Sequence, residues 1–305
     1  MNQIKQEAMS DYENLPQMGA FMDIRVDWAF HYVMSDKAVL EKFLRDILQM
    51  PVEMLELLPN AIPVRSEKDK RATFDVICRN TDTGEQFIVE MQRRGESDMD
   101  DRLFFYGASL VHGQVAAGDP VYWLNPVYVI CVADYVVHHE AVAPDQFLFH
   151  YRFSEVETGE VYGSQLQLYR LELRRALVDC PWEELENDLD RWCYIFRKMS
   201  KFAGRPPQES GFGAVFERAQ TDLLSEAQRT DYRKAMITEY DKYTIGEYAR
   251  AEVLKAGRAE GRAEGLKAGR ANEKRDIAVN MLAMGLAVET ISQATGLSEE
   301  EIRAL

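Results

Sequence analysis

The 305-residue sequence predicts an α/β domain built on a mixed sheet flanked by helices, followed by a helical linker and a small helical C-terminal module. Three observations predict it. Segments 73–79 and 86–92 are rich in β-branched and aromatic side chains and flank Asp82-Thr83-Gly84, which supplies turn chemistry, so they read as a β-hairpin. Segments 27–49 and 100–117, on either side of it, carry apolar residues at helical spacing. Val127 to Val137 is an almost unbroken apolar run, the pattern of a strand covered on both faces.

Residues 1–20 read as a flexible tail. Over 27–49, Phe30, Val33, Leu40, Phe43, Leu44 and Ile47 share a helical face, and Pro51 stops the helix. A first strand is predicted near 54–58, then the hairpin, then a helix over 100–117 with Leu103, Phe104, Tyr106, Leu110 and Val111 inward. After the apolar strand, 147–153 and 163–173 form a second hairpin through Glu157-Thr158-Gly159, and 183–202 and 209–243 are mainly helical. This places one domain over 21–245. From 246 to 275, Gly257, Gly261, Gly265 and Gly269 recur every four positions, which fits a semi-flexible helical linker better than a stripe for helix packing. Residues 276–305 form three short helices, with Gly285 and Gly296 as stops and a Ser298-to-Glu301 capping box.

Composition narrows the class. A hydrophobic content of 46% supports a sizeable core. No segment approaches the ~20 consecutive apolar residues that cross a bilayer, and residues 1–17 mix Lys5 with Glu7, Asp11 and Glu13 rather than forming a signal sequence, so a cytoplasmic, non-membrane protein is expected. Cys78, Cys131, Cys180 and Cys193 sit in apolar or helical runs without metal-ligand spacing and read as free thiols. His138-His139 reads as an exposed strand end, His112 as surface. A net charge of −15 argues against non-specific coating of nucleic acid unless basic residues gather on one face. Arg65, Lys68, Lys70, Arg71, Arg79, Arg93, Arg94 and Arg102 could gather so, although acids are interleaved with them, and a mixed solvated surface is an equal reading.

Within the hairpin, Asp75 sits among Phe74, Val76 and Ile77, and Glu90 follows Phe87, Ile88 and Val89. Burying an unpaired carboxylate costs several kcal/mol or forces protonation, so a retained pair faces a cation: an arginine such as Arg79 or Arg94, or a hard divalent ion. Glu90 and Gln92 are two apart on one strand and share a face, which Arg94 also shares if the strand continues.

Asp75 followed after the hairpin by Glu90-Met91-Gln92 resembles the active-site signature of the PD-(D/E)XK nuclease superfamily, in the branch of PD-(D/E)XK nuclease family transposases related to the recombination-promoting nucleases. Asp27-Trp-Ala-Phe30, Arg102-x-x-x-Tyr106, Gln114-x-x-x-Gly118, Tyr122-x-Leu-x-Pro126 and Leu171-Glu172-Leu173 resemble further family segments, so the likeness covers roughly 21–245. It implies a restriction-endonuclease-like core and a metal-dependent DNA endonuclease associated with recombination or mobile elements, using Mg2+, with Mn2+ or Ca2+ as substitutes. It implies that Asp75, Glu90 and the Met91 backbone carbonyl hold the metal and that Gln92 orients water where the superfamily's general pattern has Lys. Accessory candidates are Arg94 and Arg102 toward phosphate, Tyr106 and Gln114 from the following helix, and Asp27, which fits a third ligand and a helix N-terminal acid equally. DNA is the expected partner, and a homodimer is expected because double-strand cleavage needs two sites. The rival is a nuclease-fold oligomeric interaction or regulatory protein without turnover. The last thirty residues are similar to helix-turn-helix tails of recombinases, but from Asp276 onward Arg303 alone is basic against five acids, which favours protein contact or capping over DNA reading.

Overall fold

The computed structural model describes residues 18–60, 74–116, 118, 120–139, 142–143, 145–202 and 211–305. Internal contacts divide the chain into two units, at Glu239 and Tyr240.

The first unit is a six-stranded sheet between two helical layers. Its elements are α1 (Asp27–Met34), α2 (Lys37–Leu48), β1 (Leu55–Leu57), β2 (Val76–Asn80), β3 (Gln86–Gln92), α3 (Met99–Gly113), β4 (Val127–Ala133), β5 (Leu148–Arg152), β6 (Leu166–Glu172), α4 (Asp188–Lys198) and α5 (Gly213–Ala219), and α6 (Glu226–Ala283) begins in it. The strand order is β1-β2-β3-β4-β6-β5. β1, β2 and β3 pair antiparallel, β4 is parallel to β3 and to β6, and β5 closes the edge antiparallel to β6. Both predicted hairpins are present, and the apolar run becomes β4, buried at all seven positions, as a central strand requires.

The helix predicted over 27–49 is two helices. The chain breaks at Ser35, and Asp36 caps α2 by accepting the amides of Ala38 and Val39 at 3.0 and 3.2 Å. The apolar period runs through the break because both helices bury the same side. One face of the sheet carries Val76, Cys78, Phe87, Val89, Met91, Ile130 and Val132 against α1, α2, α4 and α5, where Phe43, Trp192, Phe196, Phe212, Trp182 and Phe216 form an edge-to-face aromatic cluster. The other face carries Ile77, Ile88, Val129, Cys131 and Leu166 under α3, whose Leu103, Tyr106 and Leu110 pack down. Gly107 lets α3 approach closely, since a β-carbon there would stand 2.4 Å from Leu166. Phe104, expected inward, is exposed at 49%. Gly19 and Ala20, within the predicted tail, are tied to the body: the Thr221 hydroxyl donates to Gly19 O at 2.7 Å and the Thr221 amide to Ala20 O at 3.0 Å.

In the second unit, α7 (Val288–Thr295) and α8 (Glu299–Arg303) follow α6. Gly285 and Gly296 adopt positive φ and end their helices, and Ser298 and Glu301 complete the predicted capping box. Ala278, Ile291 and Ile302 form a small core. The four spaced glycines lie inside α6, with no neighbour within 4 Å of where a β-carbon would stand. Among the described residues, no helix is long and apolar enough to cross a membrane.

Candidate active site

The two acids lie on the α3 face of the sheet, where the β2–β3 ladder ends. The last ladder pair is Val76 with Val89. Beyond it, side chains take over from backbone: Asp75 Oδ2 accepts the Met91 amide at 2.7 Å, and Glu90 Oε1 accepts the Asp75 amide at 3.3 Å. Asp75 stands one residue ahead of β2 rather than within it. Parity follows from the pleat: Asp75 shares a face with Ile77, and Glu90 with Ile88 and Gln92.

Electrostatics single out this pair. Glu90 is 2% exposed. Burial, and next the charge of Asp75, push its carboxyl up to about 8. Burial also pushes Asp75 up to about 6, with the charge of Asp27 adding to the rise and the Met91 amide opposing it. The Gln92 side chain hydrogen-bonds Glu90. Arg102 reaches over from α3, bonding Glu96 at 2.6 Å and the Tyr106 hydroxyl at 3.4 Å, and its charge acts favourably on both acids. Tyr106 is buried edge-on to Phe74. Asp27 is exposed in the first turn of α1.

Sequence reasoning missed His31. Its Nδ1 lies 2.7 Å from the Asp75 carbonyl oxygen, which can only accept, so Nδ1 carries the proton. Asp27 and His31 are four apart on one helix, a spacing that could have drawn attention to both. A cleft of about 310 Å3 opens beside them, lined by His31, Ser35, Leu57, Asn60, Asp75 and Ile77. A second network was also missed: Asp134, 5% exposed, accepts from Arg25 at 3.0 Å and Arg174 at 3.2 Å, while Arg25 also holds Asp23 at 2.9 Å. The Asp134 amide donates to Gln92 O at 2.8 Å, so this network fastens the end of β3.

Several expected placements are corrected. The strand ends at Gln92, so Arg94 does not extend the face of Glu90 and Gln92. Gln114 clamps the loop before β4, bonding Asn125 N at 2.7 Å and Asn125 O at 3.0 Å, at the Gln86 end of β3 and away from Glu90. Arg79 pairs with Glu56, and Arg93 lies 3.8 Å from Asp23 and 3.6 Å from Glu239. Arg65, Lys68, Lys70 and Arg71 fall outside the described residues. His139 is no exposed strand end: it stacks on Phe149 and bonds the buried Glu172 at 2.7 Å.

The donor set is hard oxygen. Among the described residues no group of three or more His, Cys, Asp or Glu side chains converges. Two crowded carboxylates are the protein share that Mg2+ takes when it keeps several waters. Their mutual repulsion is relieved by a bound cation, so the residues present fit the ion.

A mixed sheet with paired acids at a hairpin's open end, under a helix that brings an arginine, defines a restriction-endonuclease-like α/β protein of nuclease type. A family model described as PD-(D/E)XK nuclease family transposase matches residues 24–249, and the chain belongs to that family. A second, described as the Rpn/YhgA-like nuclease family C-terminal HTH domain, matches residues 271–305, in agreement with the helix-turn-helix likeness of the tail. No curated protein and no solved structure matches the chain.

Proposed function

We propose that this protein is a Mg2+-dependent DNA endonuclease whose catalytic residues are Asp75, Glu90 and Gln92. The observation that carries the reading is the cross-braced pair of Asp75 and Glu90, because a buried acid whose proton affinity is raised by burial and by the charge of a second, part-buried acid is relieved by a cation. Asp75 and Glu90 would hold the ion. The Met91 amide points at Asp75, and in an extended strand the carbonyl of the same residue faces the same edge, so the Met91 carbonyl would be the main-chain ligand. When bound, Mg2+ lowers the pKa of its water and offsets charge developing on the phosphate.

The chain's own groups supply the rest. Gln92, bonded to Glu90, has a side-chain amide that can orient the attacking water but cannot remove its proton at neutral pH. Arg102, held by Tyr106, sets a cation against the phosphate. His31 fixes the Asp75 backbone, and Asp27 sharpens the demand for a cation. A symmetric homodimer would supply the two sites that double-strand cleavage needs.

The test is cleavage of supercoiled DNA by the full chain with Mg2+, Mn2+, Ca2+ or chelator, wild type against Asp75→Ala. Nicked or linear product that requires metal and Asp75 supports the reading. Gln92 in place of lysine, with the −15 net charge, favours a second reading, an oligomeric nuclease-fold regulator without turnover. Absence of both cleavage and divalent-ion binding would select it.

A further inference from the structure

Glu90, Cys131 and Arg170 are register neighbours across β3, β4 and β6, so Arg170 lies on the same face of the sheet as the paired acids. Two strand spacings, about 10 Å, separate it from Glu90. Arg170 is buried, at 7% exposure. One guanidinium nitrogen, Nη2, bonds the exposed Asp100 of α3, while Nε is buried without any hydrogen-bond partner. Such an orphaned donor is rare in folded proteins and calls for an explanation.

Beside it opens a cavity of about 240 Å3, lined by Asp100, Leu103, Phe104, Tyr151, Tyr169 and Arg170. The mouth is aromatic. Phe104 and Tyr151 are each about half-exposed, and Phe104 meets Phe153 edge-on at 6.4 Å. Exposing these rings to water is unfavourable unless a ligand covers them. The Asp100 carboxylate repels a phosphate, yet accepts from an exocyclic amine, while the Arg170 guanidinium, 5.8 Å from the Tyr151 ring centroid, lines the cavity and would donate to a ring nitrogen or carbonyl through its outer nitrogens. Flat rings with one donor and one acceptor suit an uncharged heterocycle and disfavour an anion.

We propose that this cavity is a nucleobase subsite, which receives an unpaired base of the DNA strand whose backbone crosses the paired acids. The proposal rests on the nuclease reading for the identity of the strand. At a stacked rise of about 3.4 Å per nucleotide, 10 Å spans roughly three nucleotides, and fewer in an extended strand. Stacking on Phe104 and Tyr151 would hold the base with little sequence preference.

The experiment measures binding to the full chain in chelator, where cleavage is off. The probes are a single-stranded hexadeoxynucleotide containing 2-aminopurine, whose fluorescence reports stacking, and a hexamer of the same charge made wholly of abasic residues. The base-bearing hexamer is expected to bind at least tenfold more tightly and to be quenched. Phe104→Ala and Tyr151→Ala, at half-exposed positions that leave folding intact, should each weaken it roughly tenfold, while Tyr151→Phe should not. Equal affinity for the abasic hexamer, or no change in either alanine variant, overturns the subsite. Metal-dependent cleavage alongside equal abasic binding would keep the nuclease reading and remove the pocket; base-selective binding lost in Phe104→Ala, in a chain that never cleaves, would do the reverse.

Discussion

Asp75 and Glu90 brace one another's strands: the Asp75 carboxylate accepts the Met91 amide at 2.7 Å, and the Glu90 carboxylate accepts the Asp75 amide at 3.3 Å. The acids therefore have two roles that pull in opposite directions. As acceptors they extend the β2–β3 pairing past Val76 and Val89, each bond contributing about 1 kcal/mol. As charges they repel in a buried site.

Amide substitutions separate the roles. Asp75→Asn and Glu90→Gln keep an acceptor oxygen and remove the charge, so the fold should persist while cleavage falls by more than roughly a hundredfold, beyond the loss typical of a residue that merely supports a metal ligand. Plasmid cleavage rates and thermal melts on the same preparations check this. Folding lost together with activity would make the acids structural, and undiminished cleavage would remove them from the site.

The same charges give the metal-free protein a characteristic pH dependence. Glu90 is raised from 4.5 to about 8 and Asp75 from 3.8 to about 6, so between these limits the folded state binds more protons than the unfolded state. Stability in chelator should then fall as pH rises from about 4 to about 8, and level off above. Glu90→Gln should flatten the decline between about 6 and 8 and leave the variant more stable than wild type at the alkaline end. Urea unfolding at stepped pH, with and without Mg2+, reads this directly. A rise in metal-free stability over that window would contradict the strained pair.

Asp134 tests the network that sequence reading missed. Asp134→Ala removes the acceptor shared by Arg25 and Arg174 and strands Arg25 with Asp23 alone. Breaking a buried pair from one side costs about 3 kcal/mol, the low end of the usual range because one partner remains, or roughly 6–12 °C in melting temperature for a unit of this size. A melt within 2 °C of wild type would show that the network contributes little.

How much of this was legible in the sequence depended on range. The hairpin was legible because strand composition and an Asp-Thr-Gly turn are local signals, and Asp75 and Glu90 stood out as acids inside apolar runs. The end of α2 at Leu48 was legible from Pro51, but the break at Ser35 is set by the single cap Asp36, which an unbroken apolar period hides. Arg94 was misplaced because a strand ends where its neighbours stop pairing, and the neighbour here, Asp134, lies far along the chain. Gln114 looked like a site residue because its partner, the Asn125 backbone, is defined only by the folded loop. Arg25 and Asp134, 109 residues apart, carry no joint local signal at all. Phe104 fitted the apolar face of α3 by spacing, but the cavity above Arg170 leaves it without a floor.

Gln92→Lys probes the position where this chain departs from the superfamily pattern. Gln92 already bonds Glu90, so a lysine there would set its ammonium beside the two carboxylates. An ammonium favours the ionised acids and can polarise the attacking water, where an amide can only orient it. Cleavage should be retained and rise severalfold, with its pH profile displaced toward acid because the acids lose their protons earlier. In chelator the same charge should offset the repulsion, so the decline in stability between about pH 6 and 8 should shrink much as in Glu90→Gln. The two readouts are independent: one follows turnover with metal, the other unfolding without it. A variant unchanged in rate, pH profile and metal-free stability would show that the side chain at 92 does not face the acids during turnover, and water orientation would then have to come from another residue.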